Sequence, residues 1–234
     1  MIRKIYLVIT TFYSFITSCL ENFFLKNKNI NNVINKNGYK KIQLIEPINL
    51  KFDTEQVVQI NNYMDKILLT QNQINEILDK LFNQSNLKKI LYDFTGFKFN
   101  IGFVLAYITK NIPAKDQSKK IYANHWHKDL PFSKNTLKII IPLKKINYED
   151  GGIEIKLSEN EIYKMVSDIY EVLVFNPNLF YHKAGNPDIA RKQIMLQLNP
   201  SDKWSFNNDL VQLQRKQEPK FPGIAYILKK KTLL

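Results

Sequence analysis

One cysteine, three arginines, three histidines and seven glycines are what this 234-residue chain holds in short supply, and each scarcity removes a class of protein. Cys19 alone can form neither an internal disulfide nor a cysteine-rich zinc site. The secreted mini-protein and zinc-finger readings fall together, and a reducing, cytoplasmic setting is the expectation. Seven glycines and nine prolines are too few for collagen-like or low-complexity sequence. Wholesale disorder fails as well, because 44% hydrophobic and 12% aromatic residues supply a full core. The uncharged N-terminal run from Ile5 to Leu20 has 16 residues, short of the ~20 that a membrane-spanning helix needs.

What is abundant is lysine. The formal charge of +13 rests on 31 Lys against 3 Arg, in a chain that also holds 26 Asn and 30 Ile. All of these are residues whose codons are rich in A and T, so coding bias accounts for the charge better than a nucleic-acid footprint. The lysines are spread along the chain rather than interleaved with aromatics on one face, and no nucleic-acid partner is expected. Against that background arginine is informative. Arg3, Arg191 and Arg215 are the places to ask what only a planar, two-pronged guanidinium can do.

Composition shifts divide the chain into an apolar N-terminal helix with an Asn- and Lys-rich linker (1–35), a strand and helical support region (36–96), a strand-rich core (97–200) and a C-terminal extension (201–234). Three readings of the first 25 residues stand side by side. They form a helix docked on the domain or making peripheral contact with a membrane surface, a lipoprotein signal ending at Ile16-Thr17-Ser18-Cys19, or a tilted anchor. Between residues 54 and 82 the apolar positions Val57, Ile60, Met64, Ile67, Ile74, Leu78 and Leu81 recur at three and four. That spacing predicts helix, capped by Asp53 or Thr54 and broken near Thr70. Beyond Asn86 the pattern predicts strands at 97–109, 137–145, 153–157, 171–175 and 192–198. Turns fall at Glu149-Asp150-Gly151-Gly152, Asn176-Pro177-Asn178 and Gly185-Asn186-Pro187. Short strands at that spacing form a sandwich or barrel, so the fold class is mainly β with helices.

The three histidines, His125, His127 and His182, all lie in the strand-rich part. On a strand, residues two apart share a face, so His127 and Asp129 project together, and His125 shares that face. Two imidazoles and a carboxylate make up the facial triad of non-haem Fe(II) enzymes, which leaves three coordination positions open. After His182 comes a Gly185-Asn186-Pro187 turn and then Arg191 opening a strand, which puts the guanidinium beside the histidine on an adjoining strand. There it can form a two-pronged salt bridge with the far carboxylate of a dicarboxylate. Trp126 is expected to pack in the core, with a place in the cofactor wall as the alternative.

The motifs Trp126-His127-Lys128-Asp129, Gly151-Gly152 and His182 through Arg191 resemble the phytanoyl-CoA dioxygenase-like family of Fe(II)/2-oxoglutarate-dependent oxygenases, over roughly residues 97–200. The resemblance implies a double-stranded β-helix, or jelly roll, with helices packed on its outer face. It implies iron held by His127, Asp129 and His182, with 2-oxoglutarate held by Arg191 and by the amide of Gln193, where relatives often carry Ser or Thr. The implied reaction consumes O2 and hydroxylates a C–H bond of a small organic substrate, lipid- or sugar-linked, with succinate and CO2 as co-products. Asp129 favours hydroxylation over halogenation, because halogenating relatives vacate that position. After the glycine pair the sequence departs from the family's pattern, running Ile153-Glu154-Ile155-Lys156.

Two other readings accompany this one. A cupin would use His125, His127 and His182 as ligands, with no role for Arg191. A non-catalytic jelly-roll binding module would need none of them.

Overall fold

A computed structural model describes residues 32–129, 133–201 and 203–206, with positions 9, 12, 15, 16, 19, 20, 21 and 23 of the N-terminal segment. Among the described residues ten strands form two antiparallel sheets. They are β1 (Tyr39–Gln43), β2 (Val57–Asn61), β3 (Met64–Ile67), β4 (Lys98–Thr109), β5 (Leu137–Pro142), β6 (Ile153–Lys156), β7 (Ile162–Lys164), β8 (Glu171–Phe175), β9 (Tyr181–Ala184) and β10 (Arg191–Ser201). The larger sheet runs β1-β8-β5-β10-β4-β3-β2 and the smaller β7-β6-β9. Sequence neighbours such as β4 and β5 are separated in the larger sheet by β10, the crossing-over of a jelly roll.

The larger sheet is covered on both faces, and the period-two alternation of its strands decides what each face carries. Leu137, Ile139 and Ile141 of β5, Val172 and Val174 of β8, and Ile194, Leu196 and Leu198 of β10 join the main core. Helices α2 (Gln71–Phe82) and α3 (Leu87–Thr95) supply Ile74, Ile77, Leu81, Leu87 and Leu91 to that core. The alternate residues Ile140, Leu173, Phe175 and Met195 turn inward to meet Ile153 and Ile155 of the smaller sheet. Thus β10 buries aliphatic side chains on one face and presents Arg191, Gln193, Met195 and Gln197 on the other.

Helix covers less of residues 54–82 than the spacing predicts. Thr70 caps α2 with a reciprocal Thr70–Gln73 box, while β2 and β3 form a hairpin paired to β4. In that hairpin Val57 pairs with Ile67 across the turn, so the three-and-four spacing of apolar residues is a coincidence of two short strands. Asp53 does cap, but a three-residue 3₁₀ turn rather than an α-helix. Helix α3 lies within the strand and helical support region but beyond the predicted helical stretch, and a short helix α1 (Val33–Asn37) precedes β1.

The described N-terminal positions are helical, and Glu21 ties them to the domain by accepting hydrogen bonds from Ser133 and, at 3.0 Å, Asn135. Ile9, Phe12, Phe15, Ile16, Leu20 and Phe23 remain exposed. No helix among the described residues is long and apolar enough to cross a membrane. The C-terminal extension beyond residue 206 lies outside the described residues.

Candidate metal centre and dicarboxylate pocket

His127 sits in a short extended segment that bridges to β9 through reciprocal backbone hydrogen bonds with His182, 3.1 and 3.0 Å. This bridge brings the two rings to a centroid separation of 4.3 Å. Asp129, two residues on, is held by its own N–H donating to the Pro177 carbonyl at 2.9 Å. The turn that carries Pro177 is itself fixed, because the Asn176 amide donates to the Lys134 carbonyl at 2.6 Å and the Asn178 amide to that of Ser133 at 2.5 Å. One Asp129 oxygen, Oδ1, then lies 3.5 Å from His127 Nε2 and 3.7 Å from His182 Nε2. The three side chains each offer a ligand atom, all within 4.8 Å of one another.

The histidine tautomers suit a metal. His127 Nδ1 contacts the His125 carbonyl at 2.8 Å and His182 Nδ1 the Phe180 carbonyl at 3.3 Å, so each Nδ1 carries the proton and each Nε2 lone pair faces the cluster. Burial pushes the His182 pKa down to about 4, which keeps the ring neutral and ready to ligate. Burial also pushes the Asp129 carboxyl upward, but Lys138, His182 and His127 pull harder the other way. The net result is a carboxylate held below its usual range. Lys138 forms an ion pair with the second oxygen, Oδ2.

His125 does not join them. Its ring contacts the Lys119 carbonyl at 3.1 Å, so its contribution is the backbone carbonyl that orients His127. This removes the cupin ligand set. Strand alternation failed here because residues 124–126 are irregular, with only His127 in a bridge. Trp126 is likewise not a core residue: it is 37% exposed, with the Lys183 ammonium 5.0 Å from its ring centre.

His127 and His182 open onto a cavity of about 320 Å³, lined from the other side by Tyr107, Tyr122, Arg191 and Gln193. Arg191 is on the larger sheet and His182 on the smaller, so the two face one cavity across the sandwich rather than sitting on adjoining strands. Arg191 is fully buried, and its Nη1 donates to the Asp150 carbonyl at 3.0 Å. Its Nε and Nη2, with the Tyr122 hydroxyl, are buried without a hydrogen-bond partner. Each such orphan costs about 1–3 kcal/mol, and a two-oxygen anion would satisfy the guanidinium edge with the geometry arginine offers. Burial lowers the Arg191 pKa and raises that of Tyr122 to about 12, leaving one a cation and the other a neutral donor.

The Asp150 carbonyl is placed by the glycine turn that follows it. Gly151 has φ 58°, and a Cβ there would lie 2.3 Å from the Asn186 carbonyl oxygen. A Cβ on Gly152 would lie 2.2 Å from the Met165 carbonyl oxygen. Only glycine lets these loops pack so closely. In the cavity wall Gln193 Nε2 donates to the Tyr107 hydroxyl on the neighbouring strand, and its Oε1 is buried without a partner. The amide nitrogen has a second N–H beyond the one that Tyr107 takes.

Lys138, Tyr107 and Tyr122 were not singled out in the sequence. A signal existed for Lys138, the one charged residue in the strand Leu137–Pro142, all six of whose residues are buried.

No protein-family model and no curated protein matches the sequence. Solved structures do. The non-haem alpha-ketoglutarate-dependent epimerase SnoN from nogalamycin biosynthesis superimposes with a TM-score of 0.50 at 11% identity, over 76% of this chain and 84% of that one. HygX from Streptomyces hygroscopicus, with nickel and 2-oxoglutarate bound, gives 0.48 at 9% identity, over 74% and 86%. A Pseudomonas putida prolyl-4-hydroxylase gives 0.46 at 10%, over 71% and 96%. At these identities the likeness to SnoN establishes one thing: the chain has the same mainly antiparallel jelly-roll architecture.

Proposed function

We propose that this chain is a non-haem Fe(II)/2-oxoglutarate-dependent dioxygenase that hydroxylates a C–H bond of a small organic molecule, with succinate and CO2 as co-products, and that it is of the phytanoyl-CoA dioxygenase-like kind. One observation carries the reading. His127 and His182, clustered with Asp129, line a cavity that a buried arginine with two unsatisfied donors lines from the other sheet.

The residues divide the work by their chemistry. His127 Nε2, His182 Nε2 and Asp129 Oδ1 would hold Fe(II). Arg191 and Tyr122 would clasp the distal carboxylate of 2-oxoglutarate. When bound, the metal and its 2-oxo acid supply the O2 chemistry that no side chain can supply. The protein orients: carbonyls at His125 and Phe180 keep both imidazoles in the ligating tautomer, and Asp150 fixes Arg191. Apolar Leu105, Ile140, Ile153 and Met195 line the same cavity and exclude water. About 320 Å³ leaves room beside the dicarboxylate for a small substrate only. The exposed apolar side chains of the N-terminal helix are compatible with peripheral contact at a membrane surface.

The test is to add Fe(II) and then 2-oxoglutarate without oxygen. A visible charge-transfer band that appears only when both are present is the expected result; iron binding without that band would return the protein to the cupin class.

A further inference from the structure

Lys138 has no part in the reading above, yet it is the cation closest to the cluster. It occupies β5, a central strand whose six residues are all buried, and neighbouring Leu137 and Ile139 point the other way, into the apolar core. A lysine in such a place is unfavourable unless its ammonium is paired. Its partner is Oδ2 of Asp129, the oxygen that does not face the histidines, while Oδ1 lies 3.5 and 3.7 Å from their Nε2 atoms. The two carboxylate oxygens thus have separate duties. The pair is mutually shielded, with 11% and 15% of the two side chains exposed.

The geometry points to Lys138 as a positioning residue that keeps Asp129 a one-oxygen ligand. This rests on the Fe(II) reading and adds to it the reason the coordination positions stay open. A carboxylate with both oxygens free can turn and chelate an ion through both, which would occupy a position the 2-oxo acid needs. With Oδ2 engaged by Lys138, that turn would break a buried ion pair.

Lys138→Met and Lys138→Arg test it in the full-length protein, with Co(II) as a redox-inert probe read by its visible absorption. Lys138→Met is expected to bind Co(II) with a changed spectrum, and then to bind 2-oxoglutarate about tenfold more weakly, in the range typical of outer-shell partners. The loss should be equal for 2-oxobutanoate, which lacks the distal carboxylate. Lys138→Arg, which can keep the ion pair, should restore most of both readouts. Circular dichroism checks each variant's fold; if the methionine variant fails to fold, Lys138→Gln, which keeps a donor but no charge, takes its place, with the same changes expected at a smaller size, between those of the methionine and arginine variants. A Lys138→Met spectrum and 2-oxo acid affinities like those of the unmutated protein would overturn the proposal. So would a loss confined to 2-oxoglutarate, which would make Lys138 a carboxylate ligand instead. Failure of the unmutated protein to bind Co(II) would overturn the metal reading itself, a different and separately visible outcome.

Discussion

His182 and Arg191 stand nine residues apart in the chain and on different sheets, and they line one cavity from its two sides. The turn through Gly185, Asn186 and Pro187 carries the chain from one sheet to the other. Its position is set by hydrogen bonds of Asn186 to the backbone N–H and carbonyl of Ile112, 2.7 and 3.0 Å. The distance across the site is therefore a property of the sandwich, and substitutions on either wall can be read separately.

On the arginine wall, Arg191→Lys keeps the charge and loses the planar edge. Without its paired donors the dicarboxylate should bind more weakly by about 2 kcal/mol, roughly 30-fold, with the circular dichroism spectrum unchanged. A titration of the anaerobic Fe(II) protein with 2-oxoglutarate measures this. Equal affinity in the variant would remove Arg191 from the site.

On the metal wall, Asp129→Ala should abolish Fe(II)-dependent succinate release. It should also destabilise the protein by about 3 kcal/mol, because a buried lysine loses its ion-pair partner. Urea unfolding of the metal-free form isolates the second effect. In the double variant Asp129→Ala/Lys138→Met most of that destabilisation should be relieved, since no charge is left buried.

Much of the site was legible in the sequence because its chemistry is carried by rare residues. With three histidines and three arginines in the chain, the His-x-Asp pair, the later His182 and the strand-opening Arg191 stand out in the sequence alone. The five strands predicted between 97 and 198 also fold as strands, since their alternation and their Gly, Pro and Asn turns agree. What could not be read depends on tertiary contacts. The β2–β3 hairpin mimics a helical period and is decided by pairing with β4. Helix α3 does carry signals, Leu87, Ile90, Leu91 and Phe94 at helical spacing before Gly96, but it is only nine residues long, too short for the period to stand out. Alternation places a side chain such as His125 only where a strand is regular, which residues 124–126 are not, and the Lys138–Asp129 ion pair depends on the fold bringing β5 to the segment that carries Asp129.

His125→Ala separates the two metal readings. Its ring bonds to the Lys119 carbonyl, away from the cluster, and the backbone carbonyl that orients His127 survives the substitution. Co(II) affinity should stay within about twofold, whereas His127→Ala should lower it by 10-fold or more. A large loss at His125 would reinstate it as a ligand.

Gly151→Ala would place a methyl group 2.3 Å from the Asn186 carbonyl oxygen at a residue with φ 58°. The loop must move, and with it the adjacent Asp150 carbonyl that holds Arg191. A loss of about 2 kcal/mol in stability is expected, together with weaker 2-oxoglutarate binding at unchanged Co(II) affinity. Calorimetric melting and the two titrations distinguish this from a general loss of fold, which would weaken both ligands.

Acid should destabilise the metal-free protein in two windows. The His182 pKa is near 4 in the fold and about 6.5 when unfolded, so between those values the unfolded chain binds more protons. Stability is then full above about pH 6.5 and falls as the pH drops toward 4, by roughly 3 kcal/mol for that one ring. Asp129, depressed in the fold, adds a further loss only as its carboxylate protonates, below the usual carboxylate range. Urea unfolding from pH 7.5 to 4.5 should show the first decline. His182→Gln, neutral at every pH, should flatten it, and saturating Co(II) should steepen it, because metal binding requires the neutral ring and adds its own stabilisation at the upper end. A slope that survives His182→Gln would assign the acid sensitivity to other groups and leave the buried imidazole without a role in it.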